Sequence, residues 1–219
     1  LSDDDADIFG VNSCTVTSES DRKTRQTGRR LKHNHPNSIV ILTGCMPQAF
    51  PEMAQGLEEA EIVIGNKNNA EILPKLRRYL SSHERMIDIE QHCTGEKFYK
   101  TSINAFSERT RAIVKIEDGC DRFCSYCIIP KARGRVRSKP IEDIVKETET
   151  LSASGFTEVV LVGINLSAYG KDTGERFYDA VKAAADVDGI KRVRLGSLEP
   201  DHLTDEVLCN LAKIDKLCP

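Results

Sequence analysis

The chain has 219 residues, 39% of them hydrophobic and 30% charged, with eight cysteines and a formal net charge of −3. These proportions point to a soluble globular chain of one large domain or two smaller ones. No apolar run approaches the roughly 20 residues of a membrane span, and no signal-peptide core opens the chain, so no membrane association is expected. The slight net acidity does not advertise nucleic acid, but the charge is uneven. Asp3, Asp4, Asp5 and Asp7 crowd the start, whereas bases crowd Arg22 to Lys32 and Lys131 to Lys139, and local patches bind phosphates whatever the total.

Residues 1–90 read as alternating strands and helices. Asp7 to Val11 is an apolar approach to Cys14. Ser18 to Asp21 resembles a capping box that opens a helix through about Lys32. Ser38 to Leu42 is a β-rich apolar run bounded by Pro36-Asn37 and Thr43-Gly44, the pattern of a buried strand. Glu61 to Ile64 is another, closed by Gly65-Asn66. A helix falls within Asn69 to Leu80, with Pro74 in its first turn or kinking it, and Arg85 to Ile89 reads as a last strand. The alternation predicts an open parallel sheet.

Gln91 to Glu108 is polar and aperiodic, as expected of a linker between a first domain at 1–90 and a second at 109–219. From Arg111 a second alternating set begins. Ala112 to Ile116 is a strand. Pro140 to Ala153 is a helix with Pro140 in its first turn, one apolar face of Ile141, Ile144, Val145, Thr148 and Leu151, and Gly155 as its stop. Glu158 to Val162 is a strand, Phe177 to Ala185 a helix, Arg192 to Leu195 a strand, and Thr204 to Leu211 opens a further helix. Three βα units in a row begin a barrel or an open α/β sheet. The chain opens on Leu1 rather than Met and closes at Pro219 without a helix stop signal, so truncation at both ends is expected.

A disulfide scaffold is the habit of small secreted domains. This chain is too long to need one, and three of its cysteines fall within eight residues, so clustered ligands in a reducing compartment, the cytoplasm, are expected. The loop is Cys120-Asp-Arg-Phe-Cys124-Ser-Tyr-Cys127, directly after a strand. A [4Fe–4S] cubane normally takes four thiolates, so three on one loop hold three irons and leave one open to a substrate. The alternative is zinc, which favours paired C-x₂-C ligands with a second pair further on. No second pair exists here, and the five histidines do not stand at finger spacing.

The C-x₃-C-x₂-C loop after a β-strand resembles the signature of radical S-adenosylmethionine enzymes. In them the open iron binds the amino and carboxyl groups of S-adenosylmethionine. An aromatic residue before the last cysteine, here Tyr126, packs beside the adenine. The resemblance extends along the chain. Val11 to Thr17, Ser20 to Gln26 and Thr43 to Gln48 resemble the N-terminal domain of the methylthiotransferases. Arg109 to Ala112, Lys115 to Cys120 and Cys127 to Gly134 resemble the core of the same family. Ser20 to Gln26, Lys131 to Gly134 and Ser197 to Pro200 are most similar to the type that methylthiolates threonylcarbamoyladenosine beside the tRNA anticodon.

The resemblance implies an α/β fold, an N-terminal open α/β domain followed by a partial (β/α)6 radical-enzyme barrel. It also implies a second [4Fe–4S] cluster on three separated cysteines. Cys14 and Cys45 match the second and third of these. The first is absent and is expected on a strand before Leu1. Ordinary burial of Cys14 and Cys45, and Cys93 as a substitute ligand, are the alternatives. Gly163 and Asn165 after the second core strand, and Ser197 and Glu199 after the third, are candidates for holding the cofactor, because such folds bind ligands at the carboxyl ends of strands. Lys131, Arg133, Arg135, Arg137 and Lys139 suit phosphate contact with tRNA, against the alternative of a solvated loop with local ion pairs. Arg22 to Arg30 read better as an exposed helix face. The implied function is insertion of a methylthio group at carbon 2 of N6-threonylcarbamoyladenosine at position 37 of tRNA. It would require a reducing electron donor such as flavodoxin or ferredoxin, and a sulfur donor. The alternatives are a sister enzyme for isopentenyladenosine or a ribosomal-protein aspartate, and a non-catalytic metal- or RNA-binding module.

Overall fold

The run Ile39 to Gly44 is apolar at nearly every position because both its faces are covered, as in the inner strands of parallel sheets. In the computed structural model, which describes residues 6–99 and 110–218, β1 (Ile8–Ser13) and β2 (Ile39–Gly44) pair in parallel. Helix α1 (Ser18–Asn34) connects them. After the short helices α2 (Cys45–Ala49) and α3 (Pro51–Gln55) come β3 (Ile62–Ile64), a 3₁₀ turn over Asn66–Glu71, α4 (Ile72–Ser82) and β4 (Met86–Asp88). The four strands form one parallel sheet in the order β1-β2-β3-β4.

The period-2 alternation of a strand sorts this core into two layers. Val40 and Leu42 pack with Phe9, Leu31, Met46, Ala54 and Leu57 on one face. Ile41, Ile62 and Ile64 pack with Ile72, Leu76 and Tyr79 on the other. The cap of α1 differs from the expected box by one residue. Thr17 caps the helix, its side chain accepting the Ser20 N–H at 3.2 Å, because Thr17 is the last residue with extended φ/ψ. Thr24 and Leu31 are buried, whereas Arg22, Lys23 and Arg29 are exposed, with Arg22 paired to Glu19 at 2.7 Å. That is the exposed-face reading of this basic stretch. Pro74 sits in the first turn of α4, where its missing N–H costs nothing.

The second set comprises β5 (Ala112–Lys115), β6 (Glu117–Asp118), α5 (Ile129–Arg133), β7 (Arg137–Ser138), α6 (Ile141–Ala153), β8 (Glu158–Val162), α7 (Phe177–Asp186), β9 (Arg192–Leu195) and α8 (Asp205–Leu211). Strands β5, β8 and β9 form a parallel sheet in that order. Each is followed by one of α6, α7 and α8, so three consecutive βα units stand as expected. Leu217 adds one parallel bridge to Val193 of β9. Val114, Ile116, Leu161 and Val193 from the sheet, and Ile144, Leu151, Ala180, Val181 and Ala184 from the helices, make one fully buried core. At the amino ends of the strands, Glu158 accepts from Arg192 and Arg194, each at 2.7 Å, and pairs with Arg111 at 2.9 Å. The arginines hold this carboxyl below the usual carboxylate range.

Pro140 is the N-cap of α6 rather than a residue of its first turn, with φ −54° and ψ 140°. Gly155, at φ +93°, closes the helix in a Schellman motif. The Phe156 N–H reaches Leu151 O and the Gly155 N–H reaches Ser152 O.

The chain divides into two units, 1–92 with 122–134 and 93–121 with 135–219. Of the expected linker at 91–108, residues 100–108 lie outside the described residues. Residues 93–99 belong to the second unit, where Glu96 accepts from Arg137 Nη1 at 2.6 Å and Phe98, 8% exposed, lies under the ammonium groups of Lys115 and Lys139.

Candidate functional site

In the first unit the chemistry-bearing residues gather at the carboxyl edge of the sheet. The β1–β2 register pairs Ser13 with Gly44, so Cys14 and Cys45 are each the first residue past a paired strand end. Ser13 Oγ donates to Thr43 O at 2.7 Å and accepts the Met46 N–H at 3.1 Å, stitching the two ends together. Gly44 takes φ +100° and ψ −153°, a region open essentially to glycine alone. It does so because a Cβ there would stand 2.4 Å from Ser13 O. Cys14 is exposed and Cys45 buried. Arg133 Nε donates to Cys45 Sγ at 3.1 Å. Ala132 and Ile128 pack against Cys45 and Ala49, so the segment that follows Cys127 is seated on the helix that starts at Cys45.

In the second unit the corresponding edge is built around a buried carboxylic acid. Glu117 is 0% exposed, and its Oε2 accepts the Asn165 N–H at 2.7 Å. Burial pushes its pKa from 4.5 up to about 8, against the pull of the Asn165 hydrogen bond. Gly163 is the cradle for this side chain. A Cβ at Gly163 would stand 2.6 Å from Glu117 Oε2. The Asn165 amide reaches towards Cys120 Sγ at 3.8 Å, and Asn165 Oδ1 accepts from Ser167 Oγ at 3.2 Å. Ser167 Oγ in turn lies 3.0 Å from Glu199 O and 3.2 Å from Glu199 N. Two of the four expected cofactor residues, Asn165 and Glu199, are therefore joined through Ser167. Gly163 serves Glu117, and Ser197 is exposed.

Cys120 lies in the second unit, and Cys124 and Cys127 lie in the first. All three are free thiols of intermediate exposure. Phe123 takes a left-handed φ of +48°, and the Cys127 N–H donates to Cys124 O at 2.9 Å. Both features curl the loop on itself. Tyr126 is 91% exposed. Among the described residues no three His, Cys, Asp or Glu side chains stand as a closed metal-ligating group. Three thiols at C-x₃-C-x₂-C spacing have the donor chemistry that suits an iron–sulfur cluster. At the first unit's edge Cys14 and Cys45 stand at the ends of two neighbouring strands. Cys93, exposed, donates its backbone N–H to Glu96.

The basic run does not behave as one surface. Lys131 is exposed, over the Phe50 ring at 5.1 Å. Arg133 is turned onto Cys45. Arg135 is exposed, with Asp121 at 3.7 Å. Arg137, expected at a tRNA backbone, is 8% exposed. It bonds Glu96, and Asp118 lies 3.5 Å from its Nη2. The β6–β7 ladder pairs Arg137 with Asp118 and turns it into the fold, away from any phosphate. Lys139 is likewise buried, paired with Glu147. Sequence reasoning missed Glu117 and Ser167. Glu117 lies inside the family-like stretch Lys115 to Cys120 but is not singled out there, and Ser167 carries no motif.

Residues 1–65 match the model of a family described as uncharacterized protein family UPF0004, and residues 114–217 match that of the radical SAM superfamily. The fold resembles that of TsrM from Kitasatospora setae, a radical S-adenosylmethionine methyltransferase solved with cobalamin and a [4Fe–4S] cluster. The TM-score is 0.51 and the identity 15%, over 97% of this chain and 56% of that one. The second unit thus has the architecture of a radical S-adenosylmethionine domain.

Relatives narrow the class. The chain is 34% identical to the threonylcarbamoyladenosine tRNA methylthiotransferase MtaB of Bacillus subtilis, over 97% of this chain and 48% of that protein. It is 36% identical to MtaB of Aquifex aeolicus, over 99% and 53%. It is 33% identical to the tRNA-2-methylthio-N(6)-dimethylallyladenosine synthase of a Sulfurihydrogenibium species, over 98% and 50%. The chain is similar over nearly its whole length to radical SAM methylthiotransferases, and it spans about half the length of the curated relatives it matches. No helix among the described residues is long and apolar enough to cross a membrane.

Proposed function

We propose that the chain carries the cluster-binding part of a cytoplasmic tRNA methylthiotransferase that acts at carbon 2 of N6-threonylcarbamoyladenosine at position 37. The observation that carries this reading is the C-x₃-C-x₂-C loop placed after the parallel strand β5 and the short β6, with the Asn165 amide set beside its first thiol. Cys120, Cys124 and Cys127 would hold a [4Fe–4S] cluster, and Asn165 and Glu199 would orient bound S-adenosylmethionine. Tyr126, exposed on the loop, is free to cover the adenine. When bound, the cluster and S-adenosylmethionine together supply the 5′-deoxyadenosyl radical that activates an inert C–H bond. Cys14 and Cys45 would contribute to a second [4Fe–4S] cluster that presents the sulfur, with Arg133 donating a hydrogen bond to Cys45. An electron donor of the flavodoxin or ferredoxin class and a sulfur donor complete the reaction.

The test is mass spectrometry of tRNA nucleosides from cells with and without the full-length gene. Loss of 2-methylthio-N6-threonylcarbamoyladenosine alone is the expected result. Loss of the methylthio group from isopentenyladenosine instead would support the second reading, which the Sulfurihydrogenibium relative favours. An unchanged nucleoside profile overturns both.

The exposed bases Lys131 and Arg135 are the phosphate candidates. Neutralising both to Gln in the full-length protein should weaken tRNA binding and flatten the log–log salt dependence by up to about two units. Arg137→Gln should leave that slope unchanged and cost the second unit on the order of 3 kcal/mol by removing a buried guanidinium from Glu96 and Asp118, read by denaturant titration.

A further inference from the structure

Glu117 is a costly residue to bury. Among the described residues it has no cation of its own: the nearby Lys115 ammonium is bonded to Asp118 Oδ2 at 2.9 Å, and Glu117 Oε1 meets no hydrogen-bond partner there. An aliphatic side chain would fill the same space without the desolvation penalty. What it would lose is the acceptor for the backbone N–H of Asn165, at 2.7 Å, and of Ile164. The fold further gives up a side chain at position 163 to let the carboxyl approach.

We propose that Glu117 is a positioning residue of the cofactor site: its buried carboxyl fixes the backbone turn that follows β8, and through that turn holds the Asn165 amide beside Cys120 and Ser167. The turn Gly163 to Ser167 has two anchors. One is Glu117, from beneath. The other is Ser167, bonded to both the carbonyl and the N–H of Glu199 at the end of the next strand. Without Glu117 the turn keeps only the second anchor. Asn165 then loses its fixed backbone, and with it the direction of its amide. Such outer supports set the affinity of a site as much as the groups that touch the ligand. Glu117 touches neither thiol nor cofactor and is not a catalytic residue. The inference rests on the radical S-adenosylmethionine reading given above.

The test uses the whole chain in two states. In the metal-free protein, the rate of iodoacetamide labelling at each cysteine is followed by peptide mass spectrometry. Glu117→Ala should change labelling of Cys120 several-fold while Cys124 and Cys127 keep their rates. Glu117→Gln, which retains a neutral acceptor, should restore the wild-type pattern. In anaerobically reconstituted protein, Glu117→Ala should keep its iron and weaken S-adenosylmethionine binding by about tenfold. Asn165→Ala should do the same, and the double variant should lose little more.

A merely structural role would lower iron content and melting temperature together and leave affinity intact in the folded fraction. If Glu117→Ala does not fold, Gly163→Ala presses on the same carboxyl and serves as the second variant. Wild type that binds the cofactor, with variants that bind equally well, overturns this inference alone. Wild type that holds iron and binds no S-adenosylmethionine overturns the functional reading and this inference with it.

Discussion

Gly44→Ala should unfold the first unit or leave it barely stable. The residue holds φ +100° and ψ −153°, and an added Cβ would lie 2.4 Å from Ser13 O, 2.5 Å from Asn12 Oδ1 and 2.7 Å from Ser13 N. Two of these three are backbone atoms of the paired strand and cannot rotate away. Backbone strain and overpacking each cost about 1–3 kcal/mol, so a loss of about 3 kcal/mol or more is expected, a large part of a domain's net stability. Gly28 is the internal control. It lies inside α1 with nothing within 4 Å of a built Cβ, so Gly28→Ala should stabilise by about 0.5–1 kcal/mol. Denaturant titration followed by circular dichroism reads both. Equal stability of Gly44→Ala and wild type would remove the basis for the strand-end geometry described around Cys14 and Cys45.

Glu117 makes the stability of the second unit depend on pH in a particular direction. Its folded pKa of about 8 lies above the ordinary 4.5, so the fold favours the neutral acid. Stability is whole below about pH 4.5 and falls as the pH rises towards and through 8, because the unfolded chain ionises from about pH 4.5 and the folded one only near 8. At pH 9 the penalty is on the order of 4 kcal/mol. Glu117→Gln keeps the acceptor for Asn165 and carries no charge, so it should be more stable than wild type at pH 9 by about that amount and about equal to it at pH 4.5. Two parallel stability curves from pH 5 to 9 would show that the carboxyl is ionised in the fold.

Much of the fold could be read from the sequence because its signals are long. The apolar runs at 39–42 and 158–162 bury both faces of inner strands, and the face of Ile144, Thr148 and Leu151 repeats at helical spacing. The elements that escaped are short. Helices α2, α3 and α5 have five residues each and show no period, and β6 and β7 have two. That loss mattered for the site. The five bases from Lys131 to Lys139 alternate along one stretch, and nothing in their own sequence separates Arg135, which is exposed, from Arg137, which is buried. The difference is made by Glu96 and Asp118, 41 and 19 residues away. Glu117 was hidden for the same reason: its partners are Gly163 and Asn165, across the sheet edge. The cysteine loop needed no tertiary information, since its spacing is local.

The most direct test of the account is the iron content of the anaerobically reconstituted chain beside its Cys120→Ala, Cys124→Ala, Cys127→Ala triple variant, with S-adenosylmethionine cleavage measured under dithionite. The account predicts that the variant loses about four irons per chain, the content of one cubane, and that only wild type yields methionine and 5′-deoxyadenosine. Iron content equal in the two proteins, or cleavage that survives in the variant, would contradict the assignment of these three thiols.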